Sequence, residues 1–314
     1  MFFMKIMYQF LAILVMIYMP LFTSAQVHTP TRYKDVVFEN VLVKKNLAYA
    51  ATVKDHKKSA HLFDFYQPEN DTIKKRPLVI WLHGGGFKFG KKTSRAIPLW
   101  SKMFAQRGYA CAAINYRLTS KKALSKFPAL ADGCFDAIED LYVAIAYFKQ
   151  HSQQYNIDTN RIIVGGNSAG AITALQAVYA NLQSIAKIAG RPDAATVSKE
   201  YNPQKIAGVI NMWGAIFNPD WMQHATVPVV SVHGSKDRVV AFKSSNQLMY
   251  GSYFIHQQAD SLGIPNKLKV YEGFGHELQK HFIPFYAGGT VKKKWREAGE
   301  FAAEFLYEEV IKKR

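Results

Sequence analysis

The chain has 314 residues, 49% of them hydrophobic, and carries 40 lysines and arginines against 23 aspartates and glutamates, a formal charge of +17. That length and apolar content support one large core and exclude a disordered or low-complexity chain. Two cysteines, Cys111 and Cys134, exclude a disulfide framework and leave one bridge or two buried thiols, of which the thiols fit better.

The basic residues are spread in short clusters such as Lys44-Lys45, Lys121-Lys122 and Lys292-Lys293-Lys294. Scattered charge of this kind reads as a solvated surface, with attraction to acidic polymers the lesser reading, and argues against nucleic acid as partner. Residues 1–25 predict a secretory signal, with Lys5 before the apolar run Phe10 to Met19, then Pro20 and Thr23-Ser24-Ala25 ahead of Gln26. A retained anchor is the rival, because the run approaches spanning length, but the small residues at 23 and 25 suit cleavage. The expectation is a secreted or periplasmic protein with no stable membrane span, residues 26–314 forming one domain of unknown oligomeric state.

In chain order, Tyr33 to Val43 and His61 to Tyr66 predict an antiparallel edge. Pro77 to Leu82 is a continuous apolar run of strand length, as a strand covered on both faces requires, and it ends in His83-Gly84-Gly85-Gly86. A helix is predicted over Ile97 to Gln106 and a buried strand over Tyr109 to Tyr116. Between Cys134 and Gln150, Ile138, Leu141, Tyr142, Ile145 and Phe148 make a helical stripe, with Asp136, Glu139 and Asp140 expected opposite the core. Further strands are predicted at Ile206 to Met212, Val227 to Val232 and Leu268 to Tyr271, with helices over Ser244 to Leu262 and about Lys294 to Val310. Strands alternating with helices predict an α/β protein: a mostly parallel sheet with helices on both faces, and no large cap.

The chemistry gathers around Ile162 to Ala171, where Ile-Ile-Val runs into Gly166-Asn167-Ser168-Ala169-Gly170 and then into helix-favouring residues. A serine on such a strand-to-helix turn stands exposed above a sheet, and the two glycines give the backbone room to pass itself. A serine nucleophile needs a base, an acid to orient that base, and donors for an oxyanion. The glycine loop after Leu82 supplies donors, so the N–H groups of Gly85, Gly86 and Ala169 are the candidate oxyanion hole, and His83 reads as a support for that loop. Asp237, in the loop after the Val229 to Val232 run, is the candidate acid, with Asp220 and Glu272 as alternatives. His276, in a glycine-bearing loop after the last strand, is the candidate base. His233 reads as a support of the acid loop, and His224, His256 and His281 as surface residues.

These motifs resemble the α/β-hydrolase superfamily, and within it the esterase branch of hormone-sensitive-lipase-like and type-B carboxylesterases and feruloyl and acetylxylan esterases. The resemblance runs from about Leu62 to the C-terminus and rests on HGGGF at His83 to Phe87, NYRL at Asn115 to Leu118, GNSAG at Gly166 to Gly170 and HGSKD at His233 to Asp237. It departs at Asn167, where lipase-like relatives usually carry an acid, and in lacking their long N-terminal cap helices. It implies a serine carboxylesterase using Ser168, Asp237 and His276, with no metal and no organic cofactor. Short-chain or aromatic acyl esters, including polysaccharide-linked ones, are the expected substrates, and Phe87, Trp213, Phe217 and Phe274, with Phe89 and Trp221, the candidate aromatic pocket. A serine peptidase on the same fold and an inactive binding protein are the alternatives.

Overall fold

The computed structural model describes residues 29–51, 57–94, 96–191, 206–245, 248–283 and 287–313, so the predicted signal at 1–25 lies outside the described residues. Contacts group Thr31–Arg314 as one compact unit. Its centre is an eight-stranded sheet in the order β1-β2-β4-β3-β5-β6-β8-β11, formed by Val41–Ala48, Leu62–Pro68, Ala110–Ile114, Arg76–Leu82, Ile157–Asn167, Ile206–Met212, Val229–Gly234 and Asn266–Tyr271 respectively. β1 and β2 pair antiparallel, and β2 runs antiparallel to β4. From β4 to β11 every pairing is parallel.

Among the described residues, six helices of seven residues or more follow in chain order: α1 (Ile97–Ala105), α2 (Phe127–Gln150), α3 (Ala169–Tyr179), α4 (Leu182–Ile188), α5 (Ser252–Ser261) and α6 (Gly289–Leu306). The sheet divides the interior into two cores. Leu78, Ile80 and Leu82 of β3 face the core that holds α2 and α3, while Val79 and Trp81 face the one that holds α1 and α6. Side chains alternate across a strand, so burial on both faces demands an apolar residue at every position, and all seven residues of β3 are buried. The run Pro77 to Leu82 is legible for that reason.

Several boundaries differ from the sequence expectation. The edge strand begins at Val41, not Tyr33: Asp35 accepts from the Thr31 N–H (2.8 Å) to close a turn, and Tyr33 packs edge-on against Tyr109 (5.2 Å). α2 begins at Phe127, with Pro128 in its first turn, where a missing N–H costs nothing. The predicted helix over 244–262 is confined to Ser252–Ser261. Ahead of it Ser244–Ser245 (β9) and Met249–Gly251 (β10) form a small antiparallel sheet with Ala215–Ile216 (β7). Asp140 is buried, not opposite the core, and ion-paired to Arg117 (2.8 Å). Cys111 and Cys134 are both free and buried, and burial pushes both thiols well up. Among the described residues no helix is long and apolar enough to cross a membrane.

Candidate active site

Parallel strands end on one edge of the sheet, and the loops that follow β3, β5, β8 and β11 bring the predicted site residues together there. β5 ends at Asn167 and α3 starts at Ala169, so Ser168 alone makes the turn, at φ 52 and ψ −122. Its N–H donates to the Met212 carbonyl (2.9 Å), which ties the turn to β6. The flanking glycines are sterically required. A Cβ on Gly166 would fall 2.4 Å from the Leu82 carbonyl oxygen, and one on Gly170 2.2 Å from the same atom.

Ser168 Oγ lies 3.0 Å from Nε2 of His276, and Nδ1 of His276 lies 2.7 Å from Oδ2 of Asp237. The tautomer that fits has Nδ1–H donating to the carboxylate and Nε2 accepting from the hydroxyl. All three residues are buried. Oδ1 of Asp237 accepts from the backbone N–H groups of Val239 (2.8 Å) and Val240 (2.9 Å), so the carboxylate is fixed on both oxygens. Burial alone raises this carboxyl, but hydrogen bonds from His233 and His276 more than reverse that and hold it well below the usual carboxylate range. Of the two, His276 is the closer partner. His233 Nε2 lies 3.5 Å from Oδ2 and only 2.9 Å from the Val240 carbonyl, while its Nδ1 meets Ser252 Oγ at 2.8 Å. His233 therefore braces the acid loop, as its sequence position suggested. The rival acids Asp220 and Glu272 are both exposed.

The glycine loop is built to approach the serine. Gly85 (φ 121) and Gly86 (φ 60) adopt backbone that favours glycine, and the Gly85 carbonyl accepts from the N–H groups of Lys88 (3.2 Å) and Phe89 (3.0 Å), closing a tight turn. Gly84 sits against Ser168, since a Cβ there would lie 3.1 Å from that of the serine, and its N–H donates to Asn167 Oδ1 (3.1 Å). Ala169, first residue of α3, has an N–H with no intrahelical acceptor at the positive end of the helix. His83 is buried, stacked on Tyr116 (4.3 Å), and bonds the Gly84 carbonyl through Nδ1 (2.8 Å). Burial lowers its ring to about 4, so it stays neutral.

The expected aromatic pocket divides. Phe87 and Trp213 are fully buried, the first against Tyr116 (6.4 Å) and the second against Trp100 (5.8 Å), and neither offers surface to a ligand. Phe217 is 5% exposed and packs edge-on to Phe127 (5.1 Å). Phe274 and Trp221 are half-buried and Phe89 is exposed. His256 is buried rather than on the surface, bonded to Asn266, while His224 and His281 are exposed. Two rim residues went unread in the sequence: Leu124, which closes over Gly86, and Phe282, edge-on to the His276 ring (5.2 Å). Both belong to loops whose course only the fold reveals.

The BD-FAE family model matches residues 63–218, a span that contains the glycine loop and Ser168, while Asp237 and His276 lie beyond it. Among curated proteins the chain is 28% identical over 102 residues to Gut esterase 1 of Caenorhabditis elegans, covering 32% of this chain and 18% of that protein. It is 30% identical over 128 residues to a probable carboxylic ester hydrolase, LipM, of Mycobacterium tuberculosis, covering 40% and 27%. It thus spans less than a third of the length of either relative. Among solved structures, Thermogutta terrifontis esterase 2 phosphorylated by paraoxon superimposes with a TM-score of 0.58 at 20% identity, over 88% of this chain and 97% of that one. With the parallel sheet, the strand-to-helix serine turn and the glycine loop already in place, these matches show an α/β-hydrolase fold, and over residues 63–218 the chain is similar to the BD-FAE family.

Proposed function

We propose that the chain is a serine carboxylester hydrolase. The observation that carries this reading is the hydrogen-bonded series Ser168 Oγ, His276 Nε2, His276 Nδ1, Asp237 Oδ2, with distances of 3.0 and 2.7 Å. Ser168 Oγ attacks the ester carbonyl carbon as its proton passes to His276 Nε2, and the imidazolium is stabilised by the ionised Asp237. The carbonyl oxygen becomes an oxyanion held by the N–H groups of Gly85, Gly86 and Ala169. His276 returns the proton to the departing alkoxide, which leaves an acyl group on Ser168. Water then attacks that acyl carbon, losing its proton to His276, and the carboxylic acid departs as Ser168 is restored.

Short acyl groups and aromatic acids are the proposed acyl range. The lack of a large cap among the described residues supports it, and an esterase of this fold from Thermogutta terrifontis has been captured with propionate and with butyrate. A fluorophosphonate probe labels Ser168, and Ser168→Ala loses both labelling and turnover of nitrophenyl acetate, the rate falling by about 10⁴ or more. Retention of full activity by Ser168→Ala removes the assignment.

A further inference from the structure

The mouth of this site gathers positive charge that no acid answers. Lys236 and Arg238 flank Asp237 in the loop after β8, and Lys280 follows His276 in the loop after β11. Lys88 follows Gly86, and its N–H donates to the Gly85 carbonyl. Lys122 and Lys126 bracket Leu124, whose Cδ2 covers Gly86 so closely that a Cβ built there would fall 2.1 Å away. All six cations are exposed, and none of them forms an ion pair with a described residue.

The neighbouring acids are engaged elsewhere. Asp132 and Asp136 on α2 are paired with Lys121, Arg117 and Arg191, and Glu139 and Asp140 with Arg117. Residues 83–96 and 115–126, the loops after β3 and β4, contain no aspartate or glutamate. Among the described residues, Glu272 and Asp220 are exposed acids on this edge, and neither is ion-paired with any of the six cations. Exposed apolar side chains alternate with the cations: Phe89 beside Lys88, Leu124 between Lys122 and Lys126, Phe282 after Lys280. An excess of positive over negative charge around a site raises the local concentration of oppositely charged substrate.

We propose that the esters turned over here carry carboxylates, with the reacting carbonyl at Ser168 and the substrate's negative charge on the Lys122, Lys126, Lys236, Arg238 and Lys280 rim. The proposal rests on the esterase reading above and specifies its substrate class. Small carboxylated esters and acidic polysaccharides bearing acyl groups share this chemistry.

The test compares phenyl acetate with 4-acetoxybenzoate, each kcat/KM divided by the ester's rate with hydroxide, and acetylated xylan with acetylated polygalacturonate. At low salt the corrected ratio of anionic to neutral ester is expected to be about tenfold in favour of the anion, collapsing toward unity by about 500 mM NaCl. Lys122→Glu/Lys126→Glu lowers that ratio by about tenfold. Preference on the polymer pair as well as the small pair assigns an acidic polysaccharide; preference on the small pair alone assigns a small carboxylated ester. A wild-type ratio of unity at low salt, or one that neither salt nor the double substitution moves, overturns the proposal while leaving phenyl acetate turnover intact. Absence of turnover on every ester would instead strike the esterase reading.

Discussion

Asn167 joins two parts of the site that lie far apart in the chain. It is the last residue of β5, it is buried, and its Oδ1 accepts the Gly84 N–H at 3.1 Å, so the strand that leads into Ser168 also holds the glycine loop. Removing the acceptor releases a hydrogen bond of about 1 kcal/mol and frees Gly84 to drift from its close approach to Ser168. In the proposed mechanism the loop acts on the oxyanion rather than on the bound ester, so Asn167→Ala should lower kcat by about tenfold and move KM far less. Asn167→Asp, which keeps an acceptor, should recover most of that loss. Steady-state kinetics on nitrophenyl acetate decides it, and an unchanged kcat in the alanine variant removes Asn167 from this role.

Among the elements, the loop after β4 explains why NYRL belongs with the serine and glycine motifs. Asn115 Oδ1 accepts from the Lys92 N–H (2.6 Å), the Thr119 N–H donates to the Phe87 carbonyl (2.9 Å), and Tyr116 donates its hydroxyl proton to the His83 carbonyl (2.7 Å). The segment thus cradles the glycine loop from beneath. It is pinned to α2 through Asp140, which takes the Arg117 side chain (2.8 Å), the Arg117 N–H (2.6 Å) and His61 Nε2 (3.1 Å).

Asp140→Asn leaves Arg117 under-compensated in a mostly buried setting and should destabilise the fold by about 3 kcal/mol in urea unfolding. The hydrogen bond that the His61 ring donates to Asp140 raises its pKa, against the opposing effect of burial. A raised histidine contributes stability that is complete below its unfolded value and is lost as pH rises through the folded one. The gap between wild type and Asp140→Asn should therefore narrow as pH rises from about 6.5, the ordinary histidine value, through the raised one. A gap that widens over that interval contradicts the assignment.

Taken as one molecule, the chain divides into what periodicity can report and what only contact can. β3, β6 and β8 were legible because each is buried along its whole length and is apolar at most positions. The order Ser168, Asp237, His276 was legible because each follows a strand and lies beside small residues. The two-residue pairing of Ala215–Ile216 with Met249–Gly251 was not, since such a short strand is defined by its partner rather than its own composition. Phe87 and Trp213 were misassigned because a place at a strand end does not fix side-chain direction, and both turn inward. The cationic rim escaped notice because basic clusters occur along the whole sequence, and only the fold separates those at the site from the rest.

Position 168 sets durability against turnover. At φ 52 and ψ −122 any residue with a Cβ is strained, by about 1–3 kcal/mol, and every folded copy carries that burden whether or not a substrate arrives. Two inactive variants isolate it, since both lack the hydroxyl and differ only in the Cβ. Ser168→Gly should outlast Ser168→Ala by about 1 kcal/mol or more, which for a chain of this size is a melting temperature about 2–4 °C higher in calorimetry. Equal melting points would mean that the surrounding helix and strand, and not the residue, dictate the turn. On the proposed mechanism a hardier version of this protein that still turns over must then draw its gain from other parts of the chain, because relaxing the turn removes the hydroxyl assigned to the reaction.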